Sequence, residues 1–228
     1  LATEIRFLDA NEPNGDWTII QPRERGHEYS VSHYEDSFFI RTNLNAKNYK
    51  LMKTPVSSPS KESWKELIAH RDDVFLSGIE IFKSFLVLQE RKDGLINMRV
   101  INWSNNLEHY ISFNDPTYSV YPNINLEFDT DLFRFSYSSL TTPNSVYDYN
   151  LVSKERTLLK QQEVLGGTYN SENYISERLY AKGRDGVTRI PISIVYKKGY
   201  KKDDTSPLLL YGYGSYGSNM NPYFSSTR

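Results

Sequence analysis

Twelve short strand-like runs fall into three sets of four, and the sets recur at a nearly constant interval. The first set is Glu28–Tyr34, Ser37–Asn43, Tyr49–Thr54 and Trp64–Ala69. The second is Val74–Phe82, Phe85–Arg91, Ile96–Trp103 and Leu107–Phe113. The third is Ser119–Phe128, Leu132–Ser139, Ser145–Leu151 and Glu155–Gln161. The sets begin at residues 28, 74 and 119, so the repeat is 46 and then 45 residues long. Four strands in roughly 40–50 residues are the pattern of a β-propeller blade, a unit that buries its apolar faces only by stacking on its neighbours. Two earlier runs, Glu4–Leu8 and Trp17–Gln21, read as the outer half of a preceding blade, which makes about three and a half blades in all. Several runs alternate, as in Phe133-Arg134-Phe135-Ser136-Tyr137. The 18 Tyr and 11 Phe suit strands with one wet face. Strong helical periodicity is absent before residue 165. The fold class expected is mainly β, a partial propeller of the seven-bladed type.

An arc of this size does not close a ring, since propellers hold roughly four to eight blades. The open faces are expected to meet further blades ahead of Leu1 or to be buried by self-association. The opening Leu1-Ala2-Thr3-Glu4-Ile5-Arg6 has no initiator Met and is strand-like, which points to a missing front of the natural protein. It also lacks a basic region followed by an apolar stretch, so no signal peptide is visible. Lys and Arg number 27 against 28 Asp and Glu, a net charge of −1, and give no electrostatic basis for binding nucleic acid or an anionic membrane. No run approaches the roughly 18 apolar residues of a membrane span. There is no cysteine, which excludes disulfides, thiolate catalysis and cysteine-zinc sites and fits a cytoplasmic protein. Neither cofactor nor metal is expected.

The pattern changes near Gly166-Gly167. A strand, Tyr174–Ala181, leads to the hairpin signal Gly183-Arg184-Asp185-Gly186 and a return strand, Val187–Tyr196, in which Pro191 marks an edge or a bulge. After the polar loop Lys197–Ser206 comes Leu208-Leu209-Leu210-Tyr211, a continuous apolar run expected to be a strand buried on both faces inside an α/β sheet. A boundary near Thr168 divides the chain into residues 1–168, blades, and 169–228, the start of an α/β domain.

Gly212-Tyr213-Gly214-Ser215-Tyr216-Gly217 matches G-x-G-x-x-G behind that run. A dinucleotide site would need a helix to follow, so that its N-terminus could hold the pyrophosphate. The sequel Ser218-Asn219-Met220-Asn221-Pro222 has turn composition instead. The segment also approaches G-x-S-x-G around Ser215, but Tyr213 stands where the first glycine should be, so Ser215 is not a nucleophile elbow. A third reading is an oxyanion-hole loop, in which glycines allow close backbone approach and a tyrosine hydroxyl donates to the developing charge. Removing one such donor typically raises the barrier by about 3–4 kcal/mol. Simple packing of Tyr211 and Tyr213 is the competing reading.

Pro207-Leu208-Leu209-Leu210-Tyr211-Gly212-Tyr213-Gly214-Ser215-Tyr216-Gly217 resembles the entry to the catalytic domain of the prolyl oligopeptidase family of serine peptidases, and within it the oligopeptidase B branch. Glu28–Tyr34, Phe135–Pro143, Arg184–Val187 and Pro191–Tyr196 are similar to the same branch, in order along the chain. The resemblance implies a seven-bladed propeller over an α/β-hydrolase domain with a Ser-Asp-His triad. It implies hydrolysis of short peptides after Arg or Lys, with folded proteins excluded. It places Tyr213 as the tyrosine assisting the oxyanion hole and Tyr216 as an aromatic residue of the substrate pocket. It puts the nucleophile, the triad Asp and the triad His beyond Arg228. His27, His33, His70 and His109 are then surface or packing residues. The carboxylates that hold a basic substrate side chain are also expected downstream; Asn221 and Tyr223 occupy positions where some relatives carry acids. The chain alone is expected to be inactive. A non-catalytic propeller module binding a protein partner, and a post-proline-cleaving relative, are the alternatives.

Overall fold

A computed structural model describes residues 1–201, 203 and 205–227. The loop Lys197–Ser206 therefore includes two residues, Lys202 and Asp204, outside the described set, as is Arg228. Among the described residues the chain forms sixteen β-strands and no α-helix. It divides into two compact units, residues 1–81 with 86–92, and residues 82–85 with the chain from 93 onward.

In the first unit, β1 (Ile5–Phe7) and β2 (Thr18–Gln21) pair antiparallel. The next four strands, β3 (Tyr29–Tyr34), β4 (Ser37–Thr42), β5 (Lys50–Pro55) and β6 (Lys65–Ile68), form an antiparallel meander in sequence order. β7 (Val74–Ile81) then pairs with β8 (Phe85–Lys92), from Val74 opposite Lys92 to Ile81 opposite Leu86. The inner strand β4 is buried at five of its six positions, Arg41 excepted, because both faces of a central blade strand are covered. Ile20, Tyr29, Phe38, Ile40, Met52 and Trp64 make one core cluster there. Each such side chain contributes about 1.5–3 kcal/mol through removal from water.

In the second unit, β9 (Leu95–Asn102) pairs with β10 (Glu108–Tyr110). A second complete meander follows: β11 (Tyr118–Pro122), β12 (Leu132–Ser139), β13 (Ser145–Asn150) and β14 (Arg156–Gln161). Along β12 the odd positions Phe133, Phe135 and Tyr137 are buried while Arg134 reaches out to Asp148 on β13 at 2.7 Å. That is the period-2 pattern expected of a half-wet strand. β14 is exposed at all six positions, as the outermost strand of such a sheet must be. The last hairpin, β15 (Tyr174–Lys182) with β16 (Arg189–Lys197), is closed by a Gly183–Thr188 loop in which the Gly183 N–H donates to the Thr188 carbonyl. Pro191 sits on β16, in a sheet of only two strands, where its missing N–H costs no ladder bond on the open side.

Two sequence expectations fail. Strand β11 ends at Pro122, not Phe128. The two asparagines that follow are the reason. Asn123 Oδ1 accepts from the Ile124 N–H at 2.7 Å, and Asn125 Oδ1 accepts from the Arg134 N–H at 2.7 Å. Side chains thus replace the ladder. Leu208–Tyr211 is not a buried strand either: it has no regular structure, and Leu210 is 81% exposed. A strand covered on both faces needs hydrogen-bonded neighbours and packed layers, and none of the described strands pairs with it.

Candidate functional site

The glycine-rich segment forms an open loop. Ser215–Ser218 is a tight turn in which the Ser218 N–H donates to the Ser215 carbonyl at 2.9 Å, while Tyr216 and Gly217 both take positive φ, 54° and 72°. That is the signature of a type I′ turn, which favours glycine at the second centre and tolerates a side chain poorly at the first. Its effect is to throw Tyr216 outward, 97% exposed. Tyr213 is 52% exposed on the strand-free stretch before it. Gly212 and Gly214 border open space, with no heavy atom within 4 Å of where a Cβ would stand. Among the described residues no helix follows the glycines, so the dinucleotide reading fails on geometry as well as on sequence. Ser215 spends its carbonyl on the turn and lies on no strand-to-helix elbow.

Beyond the turn the chain is pinned. Among the described residues after Leu151, only Pro222 and Phe224 are buried. Ser119 Oγ donates to the Pro222 carbonyl at 2.6 Å, and the Phe224 N–H donates to Ser138 Oγ at 3.0 Å. The Phe224 ring meets Tyr169 edge-on, with centroids 5.0 Å apart. Asn221 Nδ2 donates to the Tyr121 hydroxyl oxygen. Asn219–Asn221 and Tyr223 form one wall of an open groove of about 950 Å³, whose other walls include Tyr121, Ser136, Ser145 and Lys160. Of the two positions read from sequence as places where an acid could have stood, Asn221 bonds to Tyr121 and Tyr223 lines the groove. The sequence analysis missed the burial of Pro222 and Phe224; an Asn-Pro-Tyr-Phe stretch carries no period that marks it as buried.

The hairpin is tied to the same unit. Arg178 Nη1 donates to Ser193 Oγ and Nη2 to the Asp93 carbonyl, both at 2.7 Å, and Ser193 Oγ lies 2.6 Å from Thr117 Oγ1. Below it, Asp115 accepts from the Tyr137 hydroxyl at 2.6 Å and from Thr142 Oγ1 at 3.1 Å. Burial first, and then the Asp115 carboxylate, drives the Tyr137 phenol far above its ordinary range, so it remains a donor at any working pH.

Each of the four histidines has a polar neighbour within hydrogen-bond reach. His27 Nε2 lies 2.8 Å from Thr42 Oγ1, His33 Nε2 2.6 Å from the Glu35 carbonyl, and His109 Nε2 2.9 Å from the Tyr149 hydroxyl. His70 Nε2 accepts from the Asn48 N–H at 3.2 Å. Burial pushes the His27 and His109 imidazoles below the usual histidine value. None is poised beside a serine hydroxyl. Among the described residues no group of three or more His, Asp or Glu side chains is arranged to hold a metal, and no helix is long and apolar enough to cross a membrane.

Successive sheets of four antiparallel strands define the class of β-propeller proteins. Residues 2–162 match the family model described as the prolyl oligopeptidase N-terminal β-propeller domain, and the chain belongs to the prolyl oligopeptidase family. It is 42% identical over its whole length to dipeptidyl aminopeptidase BI of Pseudoxanthomonas mexicana, covering 31% of that protein. It is 32% identical to protease 2 of Moraxella lacunata, over 99% of this chain and 32% of the relative. The solved oligopeptidase B of Leishmania major superposes with a TM-score of 0.89 at 34% identity, over 98% of this chain and 33% of that one. The chain thus spans about a third of the length of these relatives.

Proposed function

We infer that the protein carrying this chain is a serine-type oligopeptidase, that its blades admit short peptides and turn folded proteins away, and that Tyr213 assists its oxyanion hole. Residues 169–228 are then the beginning of the peptidase domain. The observation that carries this reading is the Tyr213 loop: a tyrosine on a stretch flanked by unobstructed glycines, half exposed, with its chain fixed a few residues further on. A phenol placed this way stabilises an alkoxide that develops only in the transition state. Acylation would proceed with a histidine as general base. None of the four histidines here occupies that role, so this chain by itself is expected not to hydrolyse peptides.

Cleavage after Arg or Lys, with short basic peptides as substrates and the cytoplasm as the compartment, is the finer reading. Its support is the likeness to oligopeptidase B and the ordered similarity along the chain. Tyr216, fully outward on its turn, is the candidate for an aromatic wall of the substrate pocket. In the whole peptidase, Tyr213→Phe is expected to lower kcat on an arginine ester by roughly 10²–10³-fold. An unchanged rate would end the oxyanion assignment. Comparing arginine, proline and free-amino-terminal dipeptide substrates in the same preparation separates the basic-residue reading from a post-proline enzyme and from the activity in the name of the Pseudoxanthomonas relative.

A further inference from the structure

The geometry points to Asn221–Phe224 as a plug that fixes the Tyr213 loop to the sheet β11–β14, with Ser119 and Ser138 as positioning residues. This rests on the reading of Tyr213 as an oxyanion donor. Residues 207–220 are exposed throughout, and then Pro222 and Phe224 are buried. So abrupt a change marks an anchor point.

The anchor is read through its backbone. Ser119 on β11 and Ser138 on β12 stand directly opposite each other in the ladder. One donates to the Pro222 carbonyl and the other accepts from the Phe224 N–H, so a single cross-strand serine pair holds two residues on alternate positions of the incoming segment. Proline at 222 has no N–H to satisfy, and only its carbonyl needs a partner. Both serines are themselves buried. Both bonds form only when the segment is seated, so the pair favours the docked state. Phe224 adds an apolar contact against Tyr169, whose hydroxyl donates to the Thr141 carbonyl at the β12–β13 turn.

Tyr213 lies nine residues before Pro222, a tether of at most ~30 Å when fully extended and far less when it contains a tight turn. Docking the plug removes most of the freedom of the Tyr213 loop before substrate arrives. An oxyanion donor misplaced by about 1 Å loses much of its effect, so the blade, through two serines, sets the donor's position.

The test is a double-mutant cycle in the whole peptidase, with hydrogen exchange alongside. Phe224→Ala is expected to lower kcat on the order of ten- to a hundredfold with KM nearly unchanged, and Phe224→Leu to restore most of the loss. In the Tyr213→Phe background the further loss from Phe224→Ala should nearly vanish, because the plug acts through Tyr213. Ser119→Ala with Ser138→Ala removes only the hydroxyls and gives the same cycle if the phenylalanine variant does not fold. If Tyr213→Phe slows the enzyme and Phe224→Ala multiplies the loss in full, the plug does not position Tyr213 and the inference is overturned, while the oxyanion reading stands. If Tyr213→Phe is silent, the oxyanion reading falls and takes the positioning role with it. Docking itself is then judged separately. Slow exchange at the Phe224 amide that Ser138→Ala accelerates supports it, and fast exchange in the unmutated protein refutes it.

Discussion

The first unit carries a buried imidazole that has room for one proton only. The His27 ring lies 5.2 Å from Tyr29 and 5.9 Å from Trp64, Nε2 is engaged by Thr42, and Nδ1 has no hydrogen-bond partner among the described residues. Protonation would put a charged N–H with no acceptor into that pocket. Burial accordingly holds the imidazole below its ordinary value of 6.5; Glu24 pulls it up and Lys61 pushes it down, and these two pair with each other. The sign follows directly. Below pH 6.5 the unfolded chain binds a proton that the folded chain refuses, so stability falls with pH at up to about 1.4 kcal/mol per unit. The window closes at its lower end near 4.5. There Glu4, held low by Arg6, and Glu24, held low by Lys61, begin to lose the stability that they contribute above that pH. His109 acts in the same direction as His27, whereas the half-buried Glu80 carboxyl, raised by desolvation, stabilises as the pH falls. Comparison with His27→Gln cancels both. The variant should be less stable at pH 8 by about 1–2 kcal/mol, through lost ring contacts. The deficit should shrink steadily between pH 6.5 and 4.5 in urea titrations followed by tryptophan emission. A deficit that is the same at pH 8 and pH 5 would refute a folded state that excludes the second proton.

Two other positions give sharp expectations. A Cβ on Gly94, at φ 77°, would lie 2.5 Å from Arg178 Nη2 and 3.2 Å from Pro191, so Gly94→Ala should displace the guanidinium and add a left-handed backbone cost of roughly 1–2 kcal/mol. Faster amide exchange in β15 and β16 is the readout, and unchanged exchange would show that the Arg178 contacts do not hold the hairpin. Arg71 pairs with Glu90, which is 1% exposed, so Arg71→Ala removes a charged hydrogen-bond donor from a buried carboxylate and should destabilise by about 1.5–3 kcal/mol. Replacing both by methionine should recover most of this in thermal melts; an equal loss in the double variant would mean that packing, not charge, is what Arg71 supplies.

The strands were legible because their signal is local. Ser37–Asn43 and Leu132–Ser139 alternate or saturate with Phe and Ile between turn residues, and the observed β4 and β12 agree with those bounds within a residue. The Gly183-Arg184-Asp185-Gly186 signal likewise lies in the loop that closes β15 onto β16. What failed depended on partners. Ser119–Phe128 looked like one strand because its apolar residues alternate, and nothing in that pattern says that Asn123 and Asn125 will bond to the backbone instead. Leu208–Leu210 has the composition of a central strand, and composition cannot supply the neighbours that a central strand requires.

The tyrosines show most clearly where sequence reasoning loses its grip. Tyr118, Tyr137 and Tyr147 stack with Phe113 and Phe135 inside the second unit, and Tyr118 and Tyr137 are pushed to higher pKa by burial. Tyr211, Tyr213 and Tyr216 have the same side chain and the opposite environment, more than half exposed on a loop rich in glycine. Each ring buried in a sheet gains from both its apolar area and its ring contacts. A ring half or more in water gains much less, and holding a loop that presents three of them costs conformational freedom. The compensating contacts lie at Pro222 and Phe224, downstream of the loop and on the face of a blade. A loop whose own residues gain so little from folding depends on such an anchor, and here the anchor is a pair of serines on neighbouring strands of one blade.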